Sequence, residues 1–150
     1  MLSNLKLVYQ INFLKFNKIL KNLIVLHKMI PLRNYLLLSI IFVAIDSFYL
    51  SSVSGFFNKQ IKDIQGEDLV LKIFPTFLCY ITLSLGLYYF GIEKKFTIKE
   101  CFALGLFTYA VFETTNMAIF KKWRWMTVLM DSIWGGILFA SVVWIYRLFI

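Results

Sequence analysis

The sequence is short of charged residues, histidine and cysteine, and each shortage excludes a class of protein. Only 16% of its 150 residues are charged, whereas 60% are hydrophobic and the mean hydropathy is +0.75. Soluble domains are usually about 25% charged, so the composition indicates an integral membrane protein of one domain. The single histidine, His27, excludes a histidine-rich zinc site. The two cysteines, Cys79 and Cys101, lie in apolar sequence without a CxxC pair and are interpreted as packing residues.

Hydrolase signatures are also missing from the sequence. It contains no GxGD, GxSxG or HExxH pattern. An intramembrane aspartyl hydrolase would need two facing aspartates, and it is kept only as a second alternative. We therefore expect no enzyme activity, no catalytic residue, no metal and no cofactor.

Four apolar stretches are each long enough to cross about 30 Å of hydrocarbon at 1.5 Å per residue. The link over residues 55–72 is the one substantial loop that the pattern predicts, and the other two links are short and charged. Short links make neighbouring helices antiparallel. We predict an all-α membrane protein with a four-transmembrane-helix antiparallel bundle over residues 33–150. The predicted spans are residues 34–54, 73–92, 99–120 and 126–149.

Residues 1–32 are a separate basic segment. Residues 1–33 contain six cations and no acid. At 100° per residue the lysines fall on one side and the leucines and aromatic residues on the other, which predicts an amphipathic helix in the membrane interface. Its expected partner is anionic lipid headgroups, whereas nucleic acid is not expected because the rest of the chain is apolar. A mitochondrial presequence is the rival interpretation, although arginine and serine are scarce.

The distribution of cations predicts the orientation in the membrane. With the N terminus inside, the inner segments carry ten cations and the outer links carry six. The positive-inside rule therefore places both termini in the cytoplasm. Four spans rarely enclose a complete transport path, so we also expect a homo-oligomer or a larger membrane complex.

Three acids, Asp46, Glu113 and Asp131, lie inside the predicted spans. A charged side chain in the bilayer costs several kcal/mol, so these acids require a role. Their positions along three helices place all of them about 8–12 Å below the outer boundary at 1.5 Å per residue. Helical spacing puts further polar residues on the same faces. The predicted intramembrane polar cluster is Asp46, Glu113, Asn116 and Asp131, supported by Tyr109, Thr115 and Trp134.

This cluster has two interpretations. In the first, protonated carboxyls bond to neighbouring side chains and fasten the helices together, in a structural or accessory protein or in a subunit that depends on a partner. In the second, an oxygen-rich cluster without a neutralising lysine binds a proton or a hard cation. The second interpretation would make the chain a small proton- or cation-coupled transporter that acts as an oligomer.

The run from Tyr109 to Asn116, followed by Trp123 and by residues 131–135, resembles a family of small predicted membrane proteins catalogued as domain of unknown function 2177. The family pattern is approximately Tyr-Asp-x-Thr-Asn, then a tryptophan, then Asp-x-x-Trp-Gly. The resemblance covers residues 33–150, and Asp46 resembles the acidic position of the family's first helix. Glu113 replaces the usual aspartate of the motif. The resemblance implies a four-helix membrane fold and no established activity.

Overall fold

The architecture comes from a computed structural model, which describes residues 32–150. This part of the chain is helical and contains no strand. Three stretches of it, Leu32–Gln65, Ile73–Glu93 and Trp125–Leu148, are long and apolar enough to cross a membrane. The prediction of an all-helical membrane protein is confirmed to this extent. The four helices are α1 (Leu32–Gln65), α2 (Ile73–Leu87), α3 (Ile98–Ile119) and α4 (Trp125–Leu148), and a π-helix, Tyr88–Glu93, continues α2.

The predicted bounds agree with the structure for α2 with its π-helical extension, for α3 and for α4, each within one residue. These helices are blocks of apolar residues bounded by charged links, so the pattern of hydrophobicity alone places their ends. The predicted amphipathic helix lies outside the described residues. The contacts that follow lie within residues 36–150, which form one unit.

The predicted loop over residues 55–72 is wrong in its first part, because α1 continues to Gln65. Gly55 does not end the helix, since one glycine costs a helix only about 1 kcal/mol. Tertiary contact stabilises the extension: Gln60 is completely buried, and its side-chain oxygen accepts a hydrogen bond from the Thr127 hydroxyl of α4. This contact joins residues far apart in sequence, so the local pattern could not reveal it.

Three glycines allow α3 and α4 to approach closely. A Cβ added at Gly105 would overlap the backbone carbonyl of Gly135, and one added at Gly135 would overlap the Tyr109 ring. Further along, a Cβ at Gly136 would lie 2.8 Å from the Phe102 ring. The contacting positions increase along α3 as they decrease along α4, so these two helices are antiparallel.

An aromatic layer involves all four helices. The buried Phe42 of α1 packs edge to face against Tyr80 of α2 and Phe139 of α4, with ring centroids 6.1 and 5.6 Å apart. Tyr109 of α3 packs against the same Phe139 at 6.3 Å. Such pairs contribute about 0.5–1.5 kcal/mol each beyond the area that they bury. This layer lies next to Asp46, because Tyr80 also donates a hydrogen bond to that acid.

Cationic side chains fasten the two ends of the helical unit. The Arg147 guanidinium donates to the carbonyls of Gly91 and Phe96, at 2.9 and 2.6 Å. At the other end, the Lys122 ammonium donates to the Asp63 carbonyl, and Arg124 pairs with the Asp63 carboxylate. The extension of α1 is therefore tied to the link between α3 and α4.

Candidate functional site

All three acids that the sequence singles out are buried. Asp46 of α1, Glu113 of α3 and Asp131 of α4 are 6%, 1% and 9% exposed. A buried carboxyl is costly unless donors or a counter-charge satisfy it. The partners of each acid therefore decide what it can do.

Asp46 has a donor for each of its oxygens. The Tyr80 hydroxyl donates to Oδ2 at 2.8 Å, and the indole N–H of Trp134 donates to Oδ1 at 2.9 Å. The three residues belong to α1, α2 and α4, so Asp46 links three helices through neutral donors. This carboxyl is saturated and fits a structural role.

Stacked rings connect Asp46 to the second acid. Tyr49 and Trp134 lie face to face, with ring centroids 4.1 Å apart and planes 10° apart. The Tyr49 hydroxyl donates to Oδ1 of Asp131 at 3.1 Å. The stacked rings therefore bridge two acids: the Tyr49 hydroxyl bonds to Asp131, and the Trp134 indole N–H bonds to Asp46.

Glu113 and Asp131 form a carboxyl pair, because their side chains lie within hydrogen-bonding reach of one another. The Trp123 indole N–H donates to Oε2 of Glu113 at 2.8 Å. Tyr49 and Trp123 thus supply two donors to four carboxyl oxygens. Within residues 32–150, the only further side-chain contact of this kind is between the two carboxyls themselves, and no lysine or arginine forms an ion pair with either acid. Since ionised carboxylates only accept, the two groups can bond to each other only when one of them carries a proton.

A cavity of 760 Å³ reaches this pair. The second half of α1, residues 68–71, the end of α3 and Trp123 form its walls, and Glu113 and Asp131 are part of its lining. Both acids are almost completely buried, so they lie on the inner wall of the cavity. Asp46 does not line it. The structure therefore divides the three acids into Asp46, whose two oxygens each have a neutral donor, and a buried pair that borders the cavity.

The other predicted residues occupy different positions. Trp134 donates to an acid, whereas Thr115 is exposed and its hydroxyl donates to the Val111 carbonyl of its own helix. Asn116 is half-buried, and in the described part of the chain its side chain makes no hydrogen bond to the three acids. Tyr109 packs against Phe139 and Gly135.

Two donors, Tyr49 and Trp123, were not predicted from the sequence as partners of the acids. Tyr49 carried a signal, because it lies three residues after Asp46 and so on nearly the same helical face. Trp123 was recognised only as part of a motif. Its indole N–H ties the link after α3 back to Glu113 of that helix. In residues 32–150, no group of three or more His, Cys, Asp or Glu side chains is placed to hold a metal ion.

Comparison with known proteins identifies the family. A family model described as predicted membrane protein (DUF2177) matches residues 32–147, a range that includes all three acids and all four aromatic donors. No curated protein and no solved structure matches the chain. The chain belongs to this family of uncharacterised membrane proteins, as the resemblance indicated.

Proposed function

We propose that this member of the DUF2177 family is a multi-pass membrane protein in which Asp46 fastens the helices and the Glu113–Asp131 pair binds a proton in exchange for a cationic group. All four helices cross the membrane in this proposal. The 22 residues of α3 measure about 33 Å at 1.5 Å per residue, and its acid is turned inward. Both termini lie in the cytoplasm, on the side that the excess of cations favours.

The shortage of donors at the pair is the observation that carries the proposal. Asp46 has two donors for two oxygens, whereas Glu113 and Asp131 share two donors among four oxygens. Asp46 is held by neutral donors from two other helices, whereas the remaining contact of Glu113 and Asp131 is with each other and requires a proton. The two acids that need this proton are also the two that line the cavity.

The neighbourhood of the pair favours one bound proton when the cavity holds no cation. Two adjacent carboxylates in an apolar surrounding cannot both ionise without a large cost. The other titratable groups nearby are Asp46 and Tyr49 of α1 and Tyr109 of α3, and none of these supplies positive charge. A cation that enters the cavity would supply that charge and release the shared proton.

Infrared spectroscopy of the protein in lipid bilayers tests this proposal. The carbonyl stretch of a protonated carboxyl lies apart from the bands of a carboxylate. We expect a protonated-carboxyl signal in the wild type that is lost in Glu113→Gln, because a glutamine beside Asp131 leaves one carboxylate with a neutral neighbour. Asp46→Asn is the control and should retain the signal of the pair. An identical spectrum in wild type and Glu113→Gln would contradict the proposal.

Proton- or cation-coupled transport by an oligomer is a second candidate. The cavity gives the pair access from one side. An alternating-access transporter needs such access from each side of the membrane in turn. Beyond the pair, the packed rings of Phe42 and Phe139 occupy the interior of the described unit. A second copy or a partner would therefore have to complete the transport path. In liposomes, Asp131→Asn should then abolish pH-dependent flux while the protein still folds. Unchanged flux in that variant would exclude this candidate and leave a structural or accessory role.

A further inference from the structure

We infer that the ligand of the Glu113–Asp131 pair is an amphipathic primary amine, whose ammonium group meets the two carboxyls and whose apolar part fills the cavity. The inference rests on the proposed function and names the chemical class of the ligand. It follows from the size of the cavity, the nature of its walls and the hydrogen-bonding capacity at its inner end.

The size of the cavity indicates an organic ligand. Small-molecule pockets in proteins have volumes of about 300–1,000 Å³, and this open cavity has a volume of 760 Å³. A proton or a metal ion would leave nearly all of that space unused. Between residues 32 and 150, no set of three or more His, Cys, Asp or Glu side chains is placed to hold a metal ion.

The walls of the cavity are chiefly apolar. Aliphatic and aromatic side chains from α1, α3 and the link after α1 provide most of the lining. These side chains can enclose a hydrocarbon chain or ring but can neither donate to it nor accept from it. The apolar residues that define the walls are Leu50, Phe57, Ile61, Leu69 and Phe112.

Most of the other polar residues in the lining already have partners. The hydroxyls of Ser51 and Ser54 donate to carbonyls of their own helix. The side-chain oxygen of Asn58 accepts from the Leu69 backbone N–H at 2.8 Å, and Asp68 pairs with Lys62 at 3.0 Å. Glu113 and Asp131 are therefore the acids of the lining that have no ion-pair partner in the described chain.

An ammonium group fits this pair. It carries three N–H donors and one positive charge, whereas the pair shares a proton and forms no ion pair with a lysine or arginine of the described chain. When the ammonium binds, the shared proton leaves to solvent and both carboxyls are ionised. One unit of charge enters and one proton leaves, so the net charge of the site is unchanged.

Apolar residues at the cavity are exposed on the outside of the helices. Leu69, Leu71 and Phe112 are 45%, 66% and 60% exposed, and such a patch of large apolar side chains is suited to contact with lipid. A ligand with a hydrocarbon part can therefore enter from the membrane. The amine could belong to a free amphipathic amine or to a lipid headgroup, and the two sources share the same chemistry.

Binding of octylamine to the full chain in phosphatidylcholine nanodiscs tests the inference. Two probes vary one property each: octyltrimethylammonium keeps the charge without N–H donors, and 1-octanol keeps a donor without the charge. We expect octylamine to bind at least about tenfold more tightly than either probe, because a hydrogen bond to a charged group contributes about 1.5–3 kcal/mol. Equal affinity for octylamine and either probe would overturn the inference.

Variants separate the pair from the rest of the cavity. Glu113→Gln with Asp131→Asn should weaken octylamine binding about tenfold or more. The matched control is Asp68→Asn, which removes a carboxylate that lines the same cavity but is already paired with Lys62. This control should bind octylamine as the wild type does. Loss of binding in Asp68→Asn to the same degree would show a non-specific charge effect and would overturn the inference.

A third variant keeps both carboxyls and guards against misfolding of the double variant. Leu50→Trp fills the cavity, so octylamine binding should be lost while the infrared signal of the shared proton persists. If octylamine fails to bind the wild type although that signal is present, the inference is wrong and the proposed function stands. If the signal itself is absent, the proposed function fails. Repeating the measurement with phosphatidylethanolamine in the disc identifies the source, since competition indicates a lipid and its absence a free amine.

Discussion

Tyr49 and Trp134 stack with their ring centroids 4.1 Å apart, and each donates its polar hydrogen to a different buried acid. The Tyr49 hydroxyl bonds to Asp131, whereas the Trp134 indole bonds to Asp46. This stacked pair therefore holds Asp46 and Asp131 at a fixed separation, and only Asp131 lines the cavity. Aromatic donors suit this position because they supply hydrogen bonds without a charge and fill an apolar interior.

Removal of the Trp134 indole N–H should destabilise the protein, because Asp46 loses one of its two hydrogen bonds. Trp134→Phe keeps an aromatic ring for the stack with Tyr49 but leaves Oδ1 of Asp46 without its donor. We expect the free energy of unfolding to fall by about 1–2 kcal/mol, the cost of one unmet buried acceptor within a membrane protein. Thermal unfolding in detergent measures the change. Trp144→Phe, at an exposed position, is the control, and an equal effect of both substitutions would contradict the role given to Trp134.

The close approach of α3 and α4 should not tolerate a side chain at Gly105. In Gly105→Ala the new methyl group meets the backbone carbonyl of Gly135, which no change of rotamer can remove. Overpacking of this kind costs about 1–3 kcal/mol. Gly55→Ala is the matched helical control, since nothing lies within 4 Å of its added Cβ and alanine favours a helix. The unfolding temperature should therefore fall in Gly105→Ala and rise in Gly55→Ala. A change in the same direction in both variants would refute the assigned packing.

The buried contact between Gln60 and Thr127 should show strong coupling. The Gln60 side-chain nitrogen is buried without a hydrogen-bond partner, so Thr127→Val would leave both polar groups of Gln60 unsatisfied. We expect a loss of about 1–3 kcal/mol in that variant. Gln60→Met combined with Thr127→Val removes both partners and should recover most of the loss. A double-mutant cycle measures the coupling, and simple additivity would be the opposite result.

The four-span topology makes a separate prediction about the two ends of α3. If α3 crosses the membrane, Lys95 and Lys121 lie on opposite sides of it. After replacement of Cys79 and Cys101 by alanine, single cysteines at these two positions should react with an impermeant maleimide from opposite faces of sealed vesicles. Labelling of both positions from one face would show that α3 does not span the membrane.

The basic N-terminal segment should bind anionic membranes as a helix. A peptide of residues 1–30 is expected to gain helicity on vesicles that contain an anionic lipid and to lose affinity as salt increases, because screening weakens attraction between exposed charges. Circular dichroism follows the first change and vesicle sedimentation the second. A peptide with its lysines replaced by glutamine provides the control. A disordered peptide on anionic vesicles would rule out the amphipathic assignment.

Much of the helical framework could be predicted from the chain, and the failure at α1 has a clear cause. α2 and α4 begin directly after Lys72 and Arg124, and α3 ends just before Lys121, so a hydropathy pattern detects these boundaries directly. The extension of α1 to Gln65 is polar and includes a glycine, so its sequence resembles a loop. Its helical state depends on Gln60 meeting Thr127 and on Asp63 meeting Arg124, which are contacts across the fold.

The sequence by itself determined that this is a helical membrane protein of the DUF2177 family with three acids in apolar helices. Block length, charge distribution and motif spacing are local properties and can be read without coordinates. Only the tertiary structure decided that Asp46 is saturated while Glu113 and Asp131 face a cavity. That division depends on donors such as Trp134, which lies 88 positions from Asp46 in the chain and is brought to it by helix packing.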